Sequence, residues 1–183
     1  MKTYKILLLI TLIFGVAYFM LDRQLYFYGK NDFNFYNLLP LNIVPEDRPD
    51  FENGFAIKDE YGFTIAAKGN TYKFKDTSII INEVLSYYFN NEKVIARIID
   101  SNDKKYYIEF TSNREKKKNQ DIIANVWTDD KIINSSEFKC INIKDNEKKI
   151  KKIVSPRNYL MIAFIIMFII SFYKTIKSIE KKH

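Results

Sequence analysis

The chain has 183 residues, with 29 Lys plus Arg against 22 Asp plus Glu, a formal net charge of +7, 47% hydrophobic residues, one Cys and one His. This composition excludes a collagen-like, disulfide-stapled or wholly disordered protein, and a single Cys excludes any internal disulfide. The mean hydropathy of −0.24 averages two apolar ends with a polar middle, so it describes no part of the molecule.

Residues 1–5 form a short basic N-terminus containing Lys2 and Lys5, followed at 6–21 by ILLLITLIFGVAYFML, 16 residues without a charge. As a helix this run rises about 24 Å, close to the roughly 30 Å hydrocarbon core of a bilayer. Lys5, Asp22 and Arg23 around this run, and Arg157 with Lys174 around a second one at 158–173, can close the deficit by snorkelling. The same stretch fits a secretory leader, with a charged start, an apolar centre and Gly15 and Ala17 as small residues at a cleavage site. Because apolar residues continue through Tyr18, Phe19, Met20 and Leu21, an uncleaved anchor is the simpler reading.

Residues 22–53 hold Tyr26, Phe27, Tyr28, Phe33, Phe35 and Tyr36, then Pro40, Pro45 and Pro49. Repeated prolines fix φ and remove backbone donors, so this stretch is expected to be an extended connector rather than sheet or helix. Tyr4, Tyr18, Tyr26, Tyr28, Tyr159 and Tyr173 lie near the ends of the apolar runs, where amphipathic rings favour the headgroup level. The connector aromatics are expected to pack on the domain or at that interface rather than to cage a ligand.

Residues 54–147 alternate β-branched and aromatic runs with turn-rich residues about every ten positions. Strands are expected at 54–58, 61–67, 70–75, 78–89, 93–100, 105–111, 121–128 and 137–144. Turns are expected at Lys68-Gly69-Asn70, Asn90-Asn91-Glu92, Ser101-Asn102-Asp103 and Asp129-Asp130-Lys131. The run at 78–89 (SIIINEVLSYYF) is ambiguous, since Ile80, Val84, Tyr87 and Tyr88 also make a helical stripe, and its β-branched and aromatic content favours strand. The fold class that follows is an all-β extracytoplasmic domain, a small antiparallel barrel or sandwich, flanked by two transmembrane α-helices.

The second apolar run, 158–173 (NYLMIAFIIMFIISFY), is again 16 residues without a charge, and a basic cytoplasmic tail follows at 174–183. Lysines at both ends of the chain place the termini in the cytoplasm by the positive-inside rule, and a 136-residue connecting segment (22–157) can translocate largely regardless of its own charge. Segment 148–157 is basic and juxtamembrane: Lys148, Lys149, Lys151, Lys152 and Arg157 are the candidate contacts to the membrane surface. Residues 22–147 carry 18 basic and 21 acidic residues, so the high pI comes from membrane-flanking lysines and not from a basic face on the domain. No nucleic-acid partner is indicated, and the run REKKK at 114–118 is expected to be a solvated loop.

Catalytic material is scarce. The one histidine is His183 in the lysine-rich tail, which leaves the domain without a histidine base, and one Cys with one His cannot supply a zinc site. Cys140 reads as a small core hydrophobe, Asp76, Asp100, Asp103, Asp129 and Asp130 as turn acids, and the sequon Asn134-Ser135-Ser136 as a chance match. Neither a phosphate-cradling nor a dinucleotide glycine motif occurs, so no cofactor is expected. The apolar runs contain no charge, which disfavours a self-contained transporter, while Gly15, Ala17, Ala163 and Ser171 give small surfaces for helix pairing. The favoured function is a membrane-anchored, non-enzymatic module whose domain binds another membrane or envelope protein, as an accessory, assembly or immunity-type factor. The alternatives are a cytoplasmic-facing regulatory domain held on anionic lipid, and a membrane-bound enzyme using carboxylates, Ser or Lys.

Overall fold

A computed structural model describes residues 3–33, 35–48, 54–112, 122–128, 133, 136–143 and 147–180. Contacts divide the chain into a helical unit from its two ends and a β-rich unit spanning Tyr26–Glu147. The helical unit contains α1 (Thr3–Leu25) and α2 (Glu147–Glu180). Both helices outrun the apolar segments: at 1.5 Å per residue they extend about 34 and 51 Å. The basic segment at 148–157 is therefore helical and continuous with the second apolar run, with Pro156 inside α2 removing one backbone donor.

In the β-rich unit, β4 (Thr71–Phe74), β5 (Thr77–Phe89), β6 (Val94–Asp100), β7 (Lys105–Ser112) and β8 (Ile122–Trp127) pair antiparallel in chain order. β9 (Lys139–Asn142) returns to pair with the second half of β5, while β4 pairs with the first half. Because β4 also lies beside β8, the sheet is nearly closed and barrel-like. A second sheet is formed by β1 (Val44–Arg48), β2 (Gly54–Lys58) and β3 (Thr64–Ala66).

The core is filled from one face of each central strand: Val94, Ala96 and Ile98 of β6, and Tyr106, Ile108 and Phe110 of β7. Phe55, Ile57 and Ala66 of the smaller sheet join the same cluster. β5 contributes Ile79, Ile81, Val84, Tyr87 and Phe89, a set that breaks strict alternation twice. The pairing register of β5 with β6 shifts between Ile81 and Glu83 and again between Val84 and Ser86. Each irregularity inserts a residue and turns the inward face over by one position, so a strand of 13 residues can bend around the core.

Each expected strand from 54 onward overlaps an observed one, though residues 121 and 144 lie outside the described residues and the strand expected at 61–67 is confined to Thr64–Ala66, its first three residues forming a turn. The run at 78–89 is strand throughout. Two expectations for 22–53 are corrected. First, β1 is a strand, and it tolerates Pro45 because it is the edge of its sheet, where a missing N–H breaks no ladder. Second, Tyr26 is fully buried in the domain core rather than on an open surface beyond the first apolar run, its hydroxyl donating to the Ile43 carbonyl at 2.8 Å. Tyr28 is also buried. The side chain of Tyr4 lies outside the described residues, as do Lys2, Pro49, segment 114–118, Asp129, Asp130, Asn134, Ser135 and His183.

Three of the expected turns are present and have identifiable locks. Gly69 adopts φ +89 while its N–H donates to the Ile81 carbonyl at 2.8 Å. Asn90 Oδ1 accepts from the amides of Glu92 and Lys93, and Asp100 Oδ1 from those of Asn102 and Lys104. Asp100 therefore serves as a turn acid, as its position suggested.

Candidate functional site

The helical unit has the polarity of a soluble protein turned inside out. The buried positions of α1 are Thr11, Gly15, Tyr18, Asp22 and Leu25, spaced four, three, four and three residues apart. On α2 they are Ile150, Arg157 and Ser171, with Phe164 half-buried between the last two, all at intervals of seven. Such spacing makes a narrow seam along a pair of helices packed side by side. Pairing is antiparallel: Thr11 Oγ1 lies 3.1 Å from Ser171 Oγ, a β-carbon on Gly15 would sit 3.1 Å from the Phe164 ring, and Arg157 Nη1 donates to Asp22 Oδ1 at 2.9 Å.

Thr11, Asp22, Arg157 and Ser171 are buried, as are Tyr18, Leu25 and Ile150, while most of the large apolar side chains within the two apolar runs are exposed. Leu12 and Met20 of α1 are each 63% exposed, and Ile169 and Phe172 of α2 each 61%. A helix pair in the core of a soluble protein would hide these residues; here the solvent-facing surface is the apolar one. By length and composition both helices can cross a membrane. Among the small residues expected to permit close approach, Gly15 and Ser171 are in the seam, while Ala17 and Ala163 are half-buried. Of the expected snorkelling flanks, Lys5, Arg23 and Lys174 are exposed, whereas Asp22 and Arg157 are buried against each other.

The five candidate membrane-surface residues are not brought to one place. Lys148, Lys149, Lys151 and Lys152 are exposed, and at 3.6 residues per turn they cover one continuous side of α2. Ile150, Ile153, Val154 and Arg157 fall on the opposite side, where they are buried or half-buried. Arg157 thus separates from the lysines and belongs to the seam. Its partner Asp22 was legible in the sequence as an acid one residue beyond the first apolar run, just as Arg157 lies one residue before the second.

On the β-rich unit the most exposed large apolar groups are Phe63 at 70%, Phe35 at 65% and Tyr61 at 63%, and two of the three, Tyr61 and Phe63, lie on the turn joining β2 and β3. Asp59 holds this turn by accepting from the amides of Tyr61 at 3.0 Å and Phe63 at 2.8 Å, while its own amide donates to the Phe63 carbonyl. Gly62 closes it at φ +83. A cleft of about 540 Å³ borders the turn, lined by Glu46, Asp47, Asp59 and Glu60. These carboxylates are engaged locally: Glu46 with Lys58 at 2.7 Å, Asp47 with Lys30, Asp59 within the turn, and Glu60 with the Asn42 amide at 2.9 Å. Among the described residues, no group of three or more His, Cys, Asp or Glu is placed to hold a metal ion.

Cys140 overturns the expectation of a core hydrophobe. It is exposed on β9, while the neighbouring Ile141 and Ile143 pack against the core. Mixed alternation in FKCINI gave the inward face to the isoleucines. No protein-family model matches the chain, and neither a curated protein nor a solved structure matches it.

Proposed function

We propose that the chain is a two-span membrane protein with cytoplasmic termini and an extracytoplasmic β-rich domain that binds another membrane or envelope protein, without catalysing a reaction itself. The observation that carries the reading is the inverted polarity of the helical unit: Thr11, Asp22, Arg157 and Ser171 are buried, and large apolar side chains are exposed. In water that arrangement exposes apolar surface at roughly 25 cal/mol per Å²; in lipid the same surface is solvated and the polar groups find partners across the seam. Antiparallel pairing supports having both ends of the chain on one side, and the lysines at those ends favour the cytoplasm.

Two surfaces support a docking role. The lysine side of α2 suits anionic headgroups beside the bilayer. The Tyr61–Phe63 turn presents two aromatics on a backbone already fixed by Asp59, so little entropy remains to be lost when a partner covers them.

The test combines alkaline-carbonate extraction of membranes with protease treatment of intact cells. The reading expects the chain to stay in the pellet and the domain to be cut from outside. Release into the supernatant defeats the membrane assignment, and a protected domain favours the cytoplasmic, lipid-held alternative. Crosslinking in membranes should then capture one reproducible protein, with capture lost in Tyr61→Ser/Phe63→Ser.

A further inference from the structure

We infer that α1 is retained in the mature protein as the permanent intramembrane partner of α2, with the Asp22–Arg157 pair setting their register, and is not a leader removed after Ala17. The inference rests on the membrane reading only for the solvent that surrounds the pair; the seam itself is observed.

Three features carry it. The small residues that make a leader plausible have other duties here. Gly15 is buried where the Phe164 ring leaves no room for a larger side chain without yielding by a few tenths of an ångström. Gly15 and Ala17 also lie within a helix that runs unbroken from Thr3 to Leu25. Proteases cut exposed, extended chain most readily, and a helix interior facing a neighbouring helix is a poor substrate.

The second feature is what cleavage would leave behind. Removing residues 1–17 takes away Thr11 and Gly15, and with them the cross-helix partner of the Ser171 hydroxyl and the close approach of Phe164. An isolated α2 would keep Ser171 and would keep Arg157 on the side of the helix opposite the lysines. Third, the charge pair makes register specific. Asp22 is fully buried and Arg157 nearly so, and sliding either helix by one turn moves the guanidinium about 5.4 Å from its carboxylate. Only the observed antiparallel alignment satisfies Asp22–Arg157 and Thr11–Ser171 together.

The experiment uses the full chain with a C-terminal tag, expressed in bacterial membranes as Thr11→Cys/Ser171→Cys in a Cys140→Ser background. Oxidation with copper phenanthroline is followed by intact mass measurement and identification of the linked peptides. The expected result is a chain retaining residues 1–17, with most molecules carrying a disulfide between positions 11 and 171 within one polypeptide. Adding Asp22→Arg should lower the linked fraction at least threefold, and adding Arg157→Asp to that chain should restore it, which guards against reading simple misfolding as loss of register. A mature chain beginning at Tyr18, or full-length chains that do not link, overturns the inference. Carbonate extraction separates the two readings: a shortened chain held in membranes by α2 defeats this inference while leaving membrane anchoring intact, whereas a linked chain found in the supernatant defeats the membrane reading while leaving the retained pairing of α1 with α2 intact.

Discussion

Arg157 and Asp22 stand 135 positions apart in the chain and meet at 2.9 Å across the seam between α1 and α2. A charge pair taken out of solvent is stabilising only while both partners are present. Removing one leaves a buried charge at a cost of about 3–5 kcal/mol, whereas replacing both by apolar residues of similar size is near neutral. Asp22→Ala and Arg157→Ala should each lower helix-pair stability by roughly that amount, and Asp22→Leu/Arg157→Met by about 1 kcal/mol or less. A double-mutant cycle with matched single and double substitutions, read by thermal unfolding in micelles, measures this; a double variant that loses the sum of the two single losses would mean the pair is not coupled.

Gly29 should be the least replaceable of the three positive-φ glycines of the β-rich unit. It sits at φ +66, and an added β-carbon would lie 2.4 Å from the Asp47 nitrogen and 2.5 Å from Glu46 backbone atoms. A left-handed backbone costs an L-residue about 1–2 kcal/mol, and overpacking a further 1–3 kcal/mol. Gly62 and Gly69 share the positive φ but face open space. Urea unfolding, followed by fluorescence of the single tryptophan, Trp127, should therefore rank Gly29→Ala well below Gly62→Ala and Gly69→Ala. Equal midpoints would contradict the tight approach of β1 to Gly29.

Alkaline pH should weaken the domain through its tyrosines. Burial pushes the Tyr72 hydroxyl up to about 12 and the Tyr87 hydroxyl well above its ordinary 10. Tyr87 also donates to the Phe27 carbonyl at 2.6 Å, and Tyr72 to that of Ile65. Between pH 10 and 12 the unfolded chain loses these protons while the folded chain keeps them. The stabilisation is complete below pH 10 and is lost as pH rises through that window. Urea midpoints at pH 9, 10 and 11 should fall, and the fall should be shallower in Tyr72→Phe and Tyr87→Phe; parallel profiles would remove these hydroxyls as the cause.

The turn at Asp59 should separate folding from docking. Tyr61→Ser and Phe63→Ser change side chains that are mostly in solvent, so stability should move by no more than about 0.5 kcal/mol. Asp59→Ala removes the acceptor for two amides and should cost about 1–2 kcal/mol. Crosslinked partner should decline in all three variants, and unchanged capture in the two aromatic variants would move the docking surface elsewhere.

Strand positions were legible from 54 onward because turn residues punctuate β-branched runs. The helical look of 78–89 has a physical source: its inward residues step by two, three, three and two, since paired register shifts disturb alternation and imitate a helical spacing. β1 was hidden because Pro45 argues against a strand, and only pairing order reveals that it occupies an edge. Arg157 was grouped with its neighbouring lysines by proximity in sequence. Rotation around the helix places it on the other side, information present in the residue numbers once the segment is treated as helical. The union of Asp22 with Arg157 required tertiary contact to see.

The exposed thiol of Cys140 makes this protein its own topological reporter. With no other cysteine in the chain, a membrane-impermeant maleimide added to living cells has one target. Labelling before lysis places β9 outside the cell, labelling only after permeabilisation places it inside, and neither result requires altering a residue.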